Sequence, residues 1–143
     1  MTDAGHNVSM TCNTGYKTEI RSRNHTIICD EPIELKGTDT GMNPYELLLS
    51  AIGACKAITM RMYAERKGLP VEDISIDLSH TKISAEECGD CETKTGKIDN
   101  IIIKVDIKGN LTEEQKARLL EIGERCPVQR TILSEIKITT VSV

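Results

Sequence analysis

The chain has 143 residues, with 18 Lys and Arg against 22 Asp and Glu, for a net charge of -4. That length suits a single domain over residues 1–143 that buries a core without disulfide staples. The acidic balance argues against nucleic acid or an anionic membrane as partner, because both need a basic footprint. With no Phe, no Trp and three Tyr, the core and any substrate pocket must be aliphatic.

The N-terminal MTDAGHNVSM lacks the basic and hydrophobic regions of a signal peptide, and no run of about 18 residues is apolar and free of charge, so a cytoplasmic protein is expected. Residues 1–14 read as a loose arm or, from the alternation of Val8, Met10 and Cys12, an edge strand. Tyr16 to Arg21 and His25 to Asp30 are short β-type runs that pair as a hairpin across Ser22, Arg23 and Asn24, and Asp30, Glu31 and Pro32 end it. The stretch KGTDTGMN (36–43) lacks the lysine and spacing of a phosphate loop, so its glycines serve turns.

A long helix comes next. Asn43 caps it, Pro44 suits its first position and Glu46 completes a capping box. No breaker intervenes before Lys67, and Gly68 with Pro70 supplies the stop, giving roughly 24 residues and about 36 Å. At about 100° per residue, Leu48, Ala51, Ile52, Ile58, Thr59 and Met62 share the face of Cys55, while Gly53, Ala54, Ala57 and Ala64 lie towards the back. A bulky apolar face with a back of small residues predicts a helix buried on most sides, with Cys55 in the interior.

Beyond it, VEDISIDLSHTKI (71–83) alternates as a half-buried strand, and His80 at its end reads as a packed or hydrogen-bonded residue with no chemistry of its own. A charged loop leads to a second alternating strand over 98–109, the partner of an antiparallel pair. Thr112 and Gln115 form a capping box that opens a helix through Glu124, with Leu119, Ile122 and Cys126 on one stripe. Pro127 begins a short helical segment to about Leu133, and EIKITTVSV (135–143) predicts a closing strand. The pattern is α+β, with helices packed on antiparallel sheets.

Six cysteines without a secretion signal point to thiols or ligands rather than a disulfide framework. Cys55 alone reads as a small hydrophobe. Cys126 stands just before a proline that starts a helical turn, where N–H groups favour a thiolate, so by residue chemistry alone it is the better nucleophile of the two. Together they suggest a reversible disulfide pair. Cys88 and Cys91 form a lone CxxC; a zinc site needs two further ligands, so auxiliary redox or incidental use is preferred and the two remain weak metal candidates.

The segments GTDTGMNPYELLLSAIGACKAITMRMYAERKG and KIDNIIIKVDIKGNLTEEQKARLLEIGERCPVQRTI, in this order, resemble the OsmC/Ohr family. NPYELLLSAIGAC and RCPV are the most specific parts. The resemblance implies an OsmC-like fold, with antiparallel sheets packed around a long central helix in an intertwined homodimer. It also implies a thiol-dependent peroxidase for organic hydroperoxides or hydrogen peroxide, with no metal, flavin or haem cofactor and with an external dithiol as reductant. By the same resemblance Cys55 attacks the peroxide and Cys126 resolves the sulfenic acid. Glu46 holds a thiolate-stabilising arginine, for which Arg21 and Arg23 are candidates, and Leu48, Ile52, Ile58 and Met62 surround the substrate. A non-catalytic redox-sensing or ligand-binding dimer of the same fold is the alternative. Glu46 precedes Cys55 by nine residues, about 900° or half a turn around the helix, so an active site shared between two chains is expected.

Overall fold

A computed structural model describes residues 5–143. Contacts cluster in two units, one through Leu48 and one from Leu49 to Val143. The first carries an antiparallel sheet in the order β1 (Ser9–Cys12), β2 (Thr18–Ser22), β3 (His25–Cys29). The expected hairpin is there. Ser22 pairs with His25, and Arg23 takes a φ of 54° to turn the chain between them. The alternation at Val8 to Cys12 yields an edge strand, because β1 pairs with β2 on one side alone.

The loop after β3 is held by one carboxylate. Asp30, 1% exposed, accepts from the backbone N–H of Glu31, Thr38 and Thr40 and from the hydroxyls of Thr38 and Thr40. These bonds, led by that from Thr38, hold its pKa well below the usual carboxylate range. The glycine-rich loop does serve turns: a Cβ on Gly37 would lie 1.9 Å from the Glu31 carbonyl oxygen, and one on Gly41 2.0 Å from that of Ile28. Only glycine permits so close a pass.

The long helix is α1, Pro44–Lys67, with the boundaries that its capping and stop residues predict. Asn43 Oδ1 accepts from the Glu46 N–H at 2.9 Å, and the Asn43 N–H donates to Glu46 Oε2 at 2.8 Å. In the second unit, β4 (Val71–Ser84) and β5 (Lys97–Gly109) form an antiparallel ladder from Val71 opposite Gly109 to Ser84 opposite Lys97. Then come α2 (Glu113–Gly123), opened by the Thr112–Gln115 capping box, and α3 (Pro127–Ile132). Met60 and Ala64 of α1, Ile107 of β5 and Leu119 of α2 form the buried core. His80 is hydrogen-bonded, with Nε2 2.8 Å from Asp99 Oδ1.

Two expectations fail. Residues 135–143 form no strand, and Ile136, Ile138 and Val141 are 52%, 85% and 75% exposed. Alternation fits a segment to a sheet, but a strand needs an edge to supply its hydrogen bonds, and among the described residues the two sheets contain only β1 to β5. Nor is α1 buried on most sides. Its buried residues are Ile52, Gly53, Lys56, Met60 and Ala64, a stripe at three- and four-residue spacing, while Ile58 and Met62 are 59% and 62% exposed. One chain covers one side of this helix. By length and composition α1 could also span a membrane, yet its inner side packs on protein. A Cβ on Gly53 would lie 2.7 Å from Leu78 Cδ1 of β4, and one on Gly123 would lie 3.2 Å from Lys56 and Met60. The close approach offered by Gly53 is therefore used by β4 within the chain.

Candidate functional site

Cys55, half-buried in the middle of α1, and Cys126, fully buried as the N-cap of α3, are brought together as free thiols. They are 71 positions apart in sequence (126 - 55). The Cys55 thiol is close enough to Cys126 to raise its pKa. Around Cys126 Sγ lie the Ile52 carbonyl oxygen at 4.0 Å and the Gln129 N–H, which donates at 3.4 Å.

The acidity of Cys126 runs opposite to what its helix-terminal position suggests. Burial, the largest influence, pushes its pKa above the ordinary 9.0; the Gln129 N–H pulls it down, and the Cys55 thiol pushes it up again. Desolvation wins because α3 has six residues and brings one good N–H to the sulfur, against complete removal from water. Cys126 is thus held as a thiol. Of the pair, only Cys55 is within reach of a molecule arriving from solvent.

Three residues that no sequence motif marks support this pair. Lys56 comes directly after Cys55 but turns inward, where at 2% exposure its ammonium donates to the Gly123 carbonyl at 3.1 Å and to Glu124 Oε1 at 2.7 Å. A buried ammonium must be paired. Glu124 also accepts from Gln129 Nε2 at 2.9 Å, and the bonds from Lys56 and then Gln129 lower its pKa. Gln129 completes the chain through its own N–H on Cys126. The available signal was a lysine on the same face as Met60 and Ala64 of the apolar helix, four and eight residues further on.

Ile52 and Gln129, which contact Cys126 Sγ, also line a cavity of about 540 Å³ with Ile101, Ile103, Ile132 and Leu133 together with Asp99 and Glu124. Its walls are aliphatic, as a chain without Phe or Trp requires. Among the described residues, Gln129 Oε1 is the one buried side-chain oxygen or nitrogen without a hydrogen-bond partner. Because the amide nitrogen is committed to the Glu124 carboxylate, this oxygen is an acceptor that a donor in the cavity would satisfy.

Residues 37–141 match the family model described as OsmC-like protein. The chain belongs to the OsmC-like family. Solved structures agree on the fold. An OsmC-like protein from Mycoplasma pneumoniae aligns over 92% of this chain and 89% of its own at 19% identity and a TM-score of 0.73. An organic hydroperoxide resistance protein OsmC from Legionella pneumophila aligns over 92% and 91% at 18% identity and 0.63. OhrB, the organic hydroperoxide resistance protein of Bacillus subtilis, aligns over 90% of each chain at 19% and 0.60. No curated protein matches the sequence.

Ile52 lines the cavity, whereas Ile58 and Met62 lie on the exposed side of α1. Leu48 is 42% exposed at the end of the first unit. Glu46 is engaged in the capping box of its own helix. Arg21, on β2, donates through Nε to Glu19 Oε1 at 2.6 Å, and Arg23 occupies the β2–β3 turn.

Proposed function

We propose that this OsmC-like protein is a thiol-dependent peroxidase in which Cys55 attacks the peroxide and Cys126 resolves the product. The observation that carries this reading is the meeting of a half-buried Cys55 with a fully buried Cys126 whose neighbours Ile52 and Gln129 line a largely aliphatic cavity. The Cys55 thiolate attacks the outer peroxide oxygen, the O–O bond breaks, and the leaving alkoxide takes a proton to depart as an alcohol, leaving Cys55 as a sulfenic acid. The Cys126 sulfur then attacks the Cys55 sulfur; its proton and the expelled hydroxide leave as water, and a disulfide remains. An external dithiol returns both thiols and closes the cycle. The cavity walls favour organic hydroperoxides over hydrogen peroxide, since alkyl substituents gain from burial.

The working unit of this reading is a cytoplasmic homodimer. Ile58 and Met62 on α1 and the C-terminal Ile136, Ile138 and Val141 are exposed apolar side chains that a second copy would cover. In this dimer the partner would bring its Glu46 to the site, because on one helix Glu46 and Cys55 lie half a turn apart. An arginine held by Glu46, either Arg21 or Arg23, would stabilise the thiolate across that interface.

Purified Cys55→Ser should consume organic hydroperoxide, with dithiothreitol as reductant, no faster than the uncatalysed mixture. Consumption at the parental rate would remove Cys55 from the mechanism. An inactive parent that still forms the Cys55–Cys126 disulfide would favour the redox-sensing reading.

A further inference from the structure

Away from the Cys55–Cys126 site, the β4–β5 hairpin ends in a loop that carries the other pair of neighbouring cysteines. Cys88 and Cys91 are joined as a disulfide with Cα atoms 5.6 Å apart, and both are half-buried. The bond has little structural duty. The ladder already closes the hairpin at Ser84 opposite Lys97, and the Ala85 N–H donates to the Gly96 carbonyl at 2.8 Å. A crosslink between residues three apart also removes the least chain entropy from the unfolded state. A disulfide at an exposed loop, in a place where it does not hold the fold together, is open to exchange.

Its surroundings are asymmetric. Asp90 Oδ1 lies 3.4 Å from Cys88 Sγ, whereas the Lys94 ammonium donates to the Cys91 carbonyl at 2.7 Å, which ties a positive charge to the Cys91 backbone. In thiol–disulfide exchange the negative charge passes to the leaving sulfur, so attack is directed to the sulfur whose partner carries that charge more easily. Departure of Cys91 puts the thiolate on the residue whose carbonyl holds the Lys94 ammonium, while departure of Cys88 would put it 3.4 Å from Asp90 Oδ1. We propose that Cys88 and Cys91 are a second reversible dithiol–disulfide centre, attacked by an external thiol at Cys88 with Cys91 as the leaving thiolate.

The steps balance. An incoming thiolate bonds to Cys88 Sγ, the Cys88–Cys91 bond breaks and its electron pair stays on Cys91. A second thiolate from the reductant then attacks the reductant's sulfur in the mixed disulfide, releases Cys88 and carries the reductant away as its own disulfide. Two electrons enter the pair, and two protons come from solvent. The freed Cys88 thiol then donates to Asp90. The exposed acids Glu86, Glu87, Asp90 and Glu92 around the loop suit a dithiol partner with a basic rim.

The same groups offer a rival use. Ligand atoms of Cys88, Asp90 and Cys91 lie within 4.8 Å of one another, a three-donor set one short of a structural zinc site. One experiment on the full-length folded protein separates the two. After equilibration in mixtures of oxidised and reduced dithiothreitol and acid quenching, isotope-coded alkylation should show Cys88 and Cys91 titrating together, reversibly, as a two-electron couple. Oxidised protein treated with glutathione should carry the adduct on Cys88 with Cys91 free, and Lys94→Gln should shift adduct towards Cys91. A pair that no dithiothreitol ratio reduces without unfolding, or an adduct mainly on Cys91 in the parent, would overturn the proposal. So would a reduced pair that added zinc shields from alkylation until a chelator removes it. The outcome is independent of Cys55, since the same titration in Cys55→Ser should be unchanged.

Discussion

Glu124→Ala breaks the Lys56–Glu124 pair from its wet side, and the geometry says that this is the more damaging side. Lys56 is 2% exposed and its partner 66%, so removal of the carboxylate leaves an ammonium out of water with only a carbonyl for company. Loss of one partner from a fully buried pair costs about 3–5 kcal/mol. Solvent around the largely exposed Glu124 already weakens this pair, which brings the expected loss to about 2 kcal/mol. Lys56→Met removes the buried charge instead. The carboxylate left behind is solvated, and the Gly123 carbonyl still accepts from the Cys126 N–H at 3.2 Å, so the expected loss is under about 1 kcal/mol. For a chain of this size about 2 kcal/mol lowers the melting temperature by about 4–8 °C; the three proteins should be melted at one concentration at pH 7. The difference between parent and Glu124→Ala should narrow as the pH falls. The folded-state pKa of Glu124 is lowered from 4.5, so its contribution is complete above that value and disappears as the carboxylate is protonated below it. Lys56→Met melting lower than Glu124→Ala, or a difference that persists to low pH, would refute this account of the pair.

Asp30→Asn should destabilise the loop before α1, because one amide nitrogen must face donors that all point at a carboxylate. Since the Asp30 pKa is held below 3.8, the parent should lose this advantage only in acid below that value, as acid-unfolding curves of the two proteins would show. Cys126→Ser should complete one turnover and then stall, with Cys55 found by mass spectrometry as sulfenic or sulfinic acid after a peroxide pulse; an unmodified Cys55 would deny Cys126 the resolving role. Gly53→Val should cost about 1–3 kcal/mol in urea unfolding, because even its Cβ would meet Leu78 Cδ1 at 2.7 Å; an unchanged midpoint would mean that β4 yields. Ile58→Glu should turn a dimer into a monomer in sedimentation velocity, and a monomeric parent would dispose of the shared site.

The limits of α1 were legible because they depend on neighbours in sequence: Asn43, Pro44 and Glu46 satisfy the first turn locally, and Gly68 ends the last. The strands β4 and β5 and the capping box of α2 were legible for the same reason, since alternation and side-chain capping act over two to four residues. The segments around Cys55 and Cys126 also carried the family. Tertiary structure decided the rest. It brought together thiols that are remote in sequence, turned Lys56 inward to Glu124, and made the acidity of Cys126 a matter of burial rather than of its helix end. It left residues 135–143 without a strand and one side of α1 without cover. Periodicity says which residues are able to be buried or paired; whether they are depends on what the chain brings back against them, and desolvation and sheet pairing exist only once that surface is there.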